Sequence, residues 1–166
     1  MQNPLYTERL RIEDLSLADA PFIYELLNSP GWLRFIGNRN INNQQQAEAY
    51  IQKILDNPAS QYWVVKLSDS NTAIGAVTFI QRDYLEHRDI GFAFLPAYAK
   101  KGYAYEASKR VLDELEKDPS NTTILATVNP DNLDSIGLLG KLGLKKKAEI
   151  VVEDKTLLLF SKQRNS

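Results

Sequence analysis

Hydrophobic residues recur along this chain with two periods, and the switches between them mark its elements. Leu10, Ile12 and Leu15 form a short apolar series, so residues 8–14 are expected as a first strand. Ser16 and Asp19 have the spacing of a capping box ahead of an apolar helix from Ala20 to Leu27, which Asn28-Ser29-Pro30-Gly31 breaks. Trp32, Phe35 and Ile36 repeat at near-helical spacing up to Gly37. Asn43 with Gln46 caps a further helix to about Leu55, ended by Asn57-Pro58. Residues 61–67 and 73–81 read as strands around a turn at Ser68 to Asn71, and 88–95 as the fourth strand.

The second half is more regular. Ala104, Ala107, Ser108, Val111, Leu112 and Leu115 share one face of a long amphipathic helix that Asp118-Pro119 stops. Glu106 and Arg110 lie on its other side at i, i+4, the spacing of an ion pair. A strand over 122–128, a helix from Asn132 to Leu142, and strands over 148–153 and 156–161 turning at Asp154-Lys155 complete the chain. In that helix, Leu133, Ile136, Leu139 and Leu142 form the packing face. Gly137 either leaves room for a ligand or a neighbouring backbone, or is a tolerated surface glycine. The order is strand, two helices, three strands, helix, strand, helix, two strands. It implies an α+β fold around a mixed central sheet, in one domain over 1–166 with no repeat, low-complexity segment or linker.

Composition narrows the function by exclusion. The chain has 166 residues, 43% hydrophobic and 25% charged, with net charge −1 and its Lys and Arg dispersed. A dedicated nucleic-acid partner is not expected. The one dense basic run, Lys145 to Lys147, follows a helix C-terminus and reads as a solvated face. The longest apolar run, Leu157 to Phe160, is too short to span a membrane, and the N-terminus lacks a signal-peptide core, so no membrane partner and a cytoplasmic location are expected. With no cysteine, there is no disulfide, no Cys₂His₂ site and no acyl-cysteine intermediate. The single histidine, His87, has no GxSxG elbow to serve. An acyl transfer on this chain would therefore run directly from thioester to amine.

The stretch Asp89 to Leu115 carries the most chemistry. An apolar strand breaks at Pro96, passes through a loop holding Lys100, Lys101 and Gly102, and continues as a helix. The first turn of a helix has unpartnered amides and a partial positive charge, and a glycine lets a ligand come close, so a pyrophosphate would fit. Neither GxxxxGK[ST] nor GxGxxG is present. The frame Ala99-Lys100-Lys101-Gly102-Tyr103-Ala104 resembles the pyrophosphate loop [Q/R]xxGx[G/A] of the GNAT superfamily of N-acetyltransferases, with Ala99 in place of Gln or Arg. Residues 129–144, NPDNLDSIGLLGKLGL, resemble the GNAT pattern NxxSxxLLxKLGF through Asn132, Ser135, Leu138, Leu139, Lys141, Leu142 and Gly143. The opening TERLRIEDLSLADAPFIYELLNSPGWLRFIG is similar to the ribosomal-protein N-terminal (alanine) acetyltransferase-like branch.

The resemblance implies a mostly antiparallel sheet with helices on both faces, splayed between the fourth and fifth strands. It implies acetyl-CoA as co-substrate, its pantetheine paired along the backbone of Ala93, Phe94 and Leu95 and its phosphates held at Lys100, Lys101, Gly102, Tyr103 and Ala104. Asn132 would cap its helix and bond a pantetheine amide. Ser135 would donate to the departing sulfur, since Leu139 stands where family members often have a tyrosine acid; otherwise that role is vacant. For the base, Asp89 leads because it shares a strand side with Gly91 and Ala93, where partial burial would raise its pKa; Glu86 follows, with Asp83, His87 and a water chain also open. Pairing with Arg82 or Arg88 would instead make Asp89 structural. Trp32, Phe35, Asn38 and Arg39 suit an acceptor pocket for a peptide N-terminus or a small amine bearing a carboxylate or phosphate, although Trp32 also suits plain core. The expected activity is acetyl transfer to a primary amine by a monomer or homodimer. The alternative is a catalytically inactive GNAT-like module that binds acyl-CoA.

Overall fold

A computed structural model describes residues 4–164. The chain begins with β1 (Leu5–Tyr6) and β2 (Leu10–Asp14), then α1 (Ala20–Leu27), α2 (Pro30–Phe35) and α3 (Gln44–Leu55). Next come β3 (Ser60–Leu67), β4 (Ala73–Ile80), β5 (Asp89–Phe94), α4 (Tyr103–Leu115), β6 (Thr123–Val128), α5 (Leu133–Lys141), β7 (Lys145–Val152) and β8 (Lys155–Gln163). They build an eight-stranded sheet in the order β1-β2-β3-β4-β5-β6-β8-β7, in which β5 and β6 are the parallel pair. The expected mixed, mostly antiparallel α+β architecture is present.

Two apolar layers sandwich the sheet. Trp63, Val65, Val77, Phe79 and Ile90 pack with Ala107, Val111 and Leu112 of α4 and Leu139 of α5. Val64 and Ala76, on the other face, pack with Phe22, Ile23 and Leu26 of α1, Trp32 of α2, and Ala47 and Ile51 of α3. Burying side chains of this size is worth about 1.5–3 kcal/mol each. Local chemistry sets the boundaries. Ser16 and Asp19 form their capping box, and the Asn43 side chain accepts the Gln46 amide at 2.8 Å.

Several expectations need correction. The first strand is a two-strand hairpin, because Thr7 turns the chain and caps the turn by accepting the Leu10 amide. The splayed strands expected as fourth and fifth are therefore β5 and β6. Residues 30–35 close a full helix, α2, behind the N-terminal proline. The last hairpin turns at Glu153-Asp154, both at positive φ, one residue before the expected pair. Lys145–Lys147 open β7, an outer strand whose lysines guard an unpaired edge. Glu106 does not pair with Arg110; it faces Arg9 and Thr7, while Arg110 turns to Glu114 at 3.8 Å. Leu133 is 73% exposed and packs on nothing comparable to Leu139.

Candidate active site

β5 and β6 touch at one position, Asp89 opposite Leu125, where the Leu125 amide donates to the Arg88 carbonyl at 3.0 Å. Beyond it, β5 stays paired with β4 and β6 with β8, so their facing edges have no strand between them. Strand residues alternate the edge to which their N–H and C=O point. Arg88 faces β6 and the Leu95 amide donates to the Ile74 carbonyl on the β4 side at 2.9 Å, so Phe92 and Phe94 present their peptide groups to the gap. Of the three backbone positions expected to meet pantetheine, Phe94 faces the gap, whereas the Leu95 amide is taken and Ala93 faces β4. Gly75 makes room for the Phe94 ring: a Cβ there would lie 2.3 Å from Phe94 Cδ2.

The gap opens into a cavity of about 530 Å³. Its walls bring together Trp32, Phe35, Asn38, Arg39, Asp89, Ala93, Asn132 and Ser135, which lie far apart in sequence. Asn132 is an N-cap in fact, its Oδ1 accepting the Ser135 amide at 3.3 Å, and Ser135 is partly buried on the wall. Leu139 is buried behind it and lines the same space. Gly137 has nothing within 4 Å of its missing Cβ, so neither a neighbouring backbone nor a side chain occupies that space.

Asp89 is 4% exposed, and Arg82 Nε donates to its two oxygens at 3.2 and 3.4 Å. Burial pushes its carboxyl above the usual carboxylate range, with Arg82 opposing. Arg82, rather than Arg88, is the partner; Arg88 lies over the Phe79 ring at 5.7 Å. Glu86 and His87 belong to another hollow, of about 930 Å³, rimmed by Lys117, Asp118 and Ser120 at the opposite end of α4. That hollow is larger, yet it contains neither the strand gap nor a helix start, whereas the first combines the gap with Asp89, Asn132 and Ser135. Asp83 is exposed and is not among the residues that line the cavity.

Sequence reasoning missed the cavity floor. Tyr62 of β3 bonds Tyr50 of α3, and burial raises its pKa strongly. Tyr62, Thr78 and Gly91 lie side by side across three strands. The period of two puts Tyr62 on the face of Val64, but which face receives ligand is not written locally. Arg39 extends over Trp32 with its guanidinium 5.9 Å from the ring. The Asn28 side chain ties the loop before α3 to α1 by donating to the Tyr24 and Ile41 carbonyls, each at 2.9 Å.

The basic loop reaches α4 through Gly102 at φ 83, its N-cap, after Lys100 at φ 58. Lys100, Lys101 and Gly102 are exposed, and Tyr103 and Ala104 partly buried. Ala99 supplies no polar group, but Arg9 arrives from the β1–β2 turn. Its Nη1 donates to the Lys101 carbonyl at 3.1 Å, its Nε to Glu106 Oε1 at 2.8 Å, and its guanidinium covers the Tyr103 ring at 4.2 Å. Burial would raise the Glu106 carboxyl; the Thr7 hydroxyl and Arg9 outweigh it and hold the group below its ordinary value.

Residues 9–145 match the family model described as an acetyltransferase (GNAT) domain. The chain is 29% identical over 142 residues to the uncharacterized N-acetyltransferase YnaD of Bacillus subtilis (strain 168), covering 85% of this chain and 82% of that protein. In fold it is similar to the ribosomal-protein-S5-alanine acetyltransferase of Vibrio fischeri, with TM-score 0.83 and 18% identity over 99% of this chain and 98% of that one. It is likewise similar to the spermidine N-acetyltransferase of Vibrio cholerae in complex with CoA and spermine, with TM-score 0.81 and 19% identity over 95% and 97%.

Proposed function

Because the chain belongs to the GNAT acetyltransferase family, and is thus an acetyl-CoA-dependent N-acetyltransferase, we propose that the β5–β6 gap holds its pantetheine and that the cavity beside it receives the primary amine. The carrying observation is the pair of unpaired strand edges facing each other across a cavity that Asn132 and Ser135 also line. Buried peptide groups require partners, and an extended amide-bearing arm supplies them. The diphosphate lies at Lys100 to Ala104, where Lys100 and Gly102 take the αL conformation at the start of α4.

Transfer is direct. Asp89 takes the ammonium proton, the neutral amine attacks the thioester carbonyl, and as the C–S bond breaks Ser135 donates a hydrogen bond to the leaving sulfur, which takes the second amine proton. Glu86 takes no part. The acceptor is the α-amino group of a peptide or a small amine. Three cationic side chains on the wall (Arg39, Arg82, Lys155) against two anionic ones (Asp89, Glu153) disfavour a polycation.

The test is calorimetry with acetyl-CoA followed by thiol release on a panel of peptides, amino acids and polyamines. Turnover is expected on acceptors with one amine and is weak on spermidine. Coenzyme binding without turnover on any acceptor would move the reading to a binding module.

A further inference from the structure

Arg82 and Asp89 share the cavity wall, and their pairing is incomplete in an informative way. Asp89, 4% exposed, is reached by Arg82 through Nε and is also bonded by its own backbone amide; among the described residues the forked end of the guanidinium is not used on it. A guanidinium matches a carboxylate or phosphate best through two parallel N–H groups, and that capacity remains for another anion. The Arg82 side chain is 36% exposed and the residue lines the cavity, so its end is within reach of a ligand.

The pair also sets a charge requirement. A simple ammonium entering beside Asp89 meets Arg82 as a like charge. An anion alone meets Asp89. A molecule carrying both charges a few bonds apart meets opposite charge at each end. Tyr62 and Tyr84 line the same cavity with neutral polar groups, and Arg39 and Lys155 add positive charge to its lining.

Resting on the transferase reading above, we propose that the acceptor is a zwitterionic amine, whose carboxylate or phosphate is taken by the terminal nitrogens of Arg82 while its ammonium sits at Asp89. Sharing Arg82 with the substrate anion loosens its hold on Asp89, and the freed carboxylate takes the ammonium proton. The neutral amine forms the C–N bond, the C–S bond breaks, the second amine proton passes to the leaving sulfur so that coenzyme A departs as the thiol, and no atom changes oxidation state. Arg82 is the specificity-determining residue, and the preference for an anionic acceptor originates from the protein's own ion pair.

The experiment measures kcat/KM by thiol release for matched pairs. One arm sets amino acids against their amides; the other sets phosphoethanolamine against ethanolamine. The wild-type protein favours the anionic member of at least one arm by about tenfold or more, the worth of a charged hydrogen bond. Arg82→Gln collapses that ratio, Arg82→Lys restores part of it, and the KM for acetyl-CoA stays the same. A cooperative urea transition and an unchanged affinity for acetyl-CoA in Arg82→Gln show that the variant is folded, so that loss of the preference is not loss of the fold. Equal rates within every pair, or a preference that survives Arg82→Gln in folded protein, would overturn the proposal and leave the transferase standing. Coenzyme binding with no turnover on any amine would overturn both.

Discussion

At Asp89 two opposing effects can be read in one titration. Burial favours the protonated carboxyl and Arg82 the ionised one, and burial prevails. A carboxyl raised above its unfolded value keeps its proton longer in the folded chain. Stability therefore falls as pH rises from the ordinary carboxylate range through the raised value, and urea denaturation across that window measures the slope. Asp89→Asn should flatten it. Activity runs the other way, since the base must be ionised: kcat should climb through the same window and lose that acidic limb in Asp89→Asn. An intact limb with normal kcat would exclude Asp89. Ser135→Ala makes a separate prediction. Losing a donor to the sulfur should lower kcat about tenfold or more while the KM for acetyl-CoA changes less. Unchanged kcat would dismiss the role.

Among elements, the loop into α4 is where local sequence and distant partners meet. Gly102→Ala places a Cβ at φ 83 and 3.3 Å from Arg9 Nη2, an αL cost of about 1–2 kcal/mol next to the expected diphosphate. The KM for acetyl-CoA should rise, with little change toward acetyl-pantetheine, which lacks that group. Equal losses on both donors would place the diphosphate elsewhere. The helices here were legible from sequence. The α4 periodicity, the Asn43 and Asn132 caps and the breaks at Pro30 and Pro96 are local signals, and the structure keeps them. The Arg9–Glu106 tie was not, because its partners stand 97 residues apart and pairing at that range leaves no period. The i, i+4 rule offered Arg110 to Glu106 instead, and a multiply bonded alternative, with Arg9 and Thr7 both on the carboxylate, prevailed.

For the whole molecule, the family resemblance implied a sheet splayed between its fourth and fifth strands, and the topology has that opening at β5 and β6, which prove to be the parallel pair. The cavity beside the strand gap was half legible. Trp32, Phe35, Asn38 and Arg39 do line it, but Tyr50, Tyr62, Arg82 and Glu153 come from four other segments that only the closed fold assembles. Among the described residues no helix is long and apolar enough to cross a membrane.

A crystal structure with coenzyme A tests the central claim most directly. Density is expected between β5 and β6, with amide-to-pantetheine bonds at Phe94 and phosphate oxygens within hydrogen-bond distance of the amides from Lys101 to Ala104. Coenzyme in the hollow beside Glu86 and His87, or a strand gap left empty at saturating ligand, would contradict it.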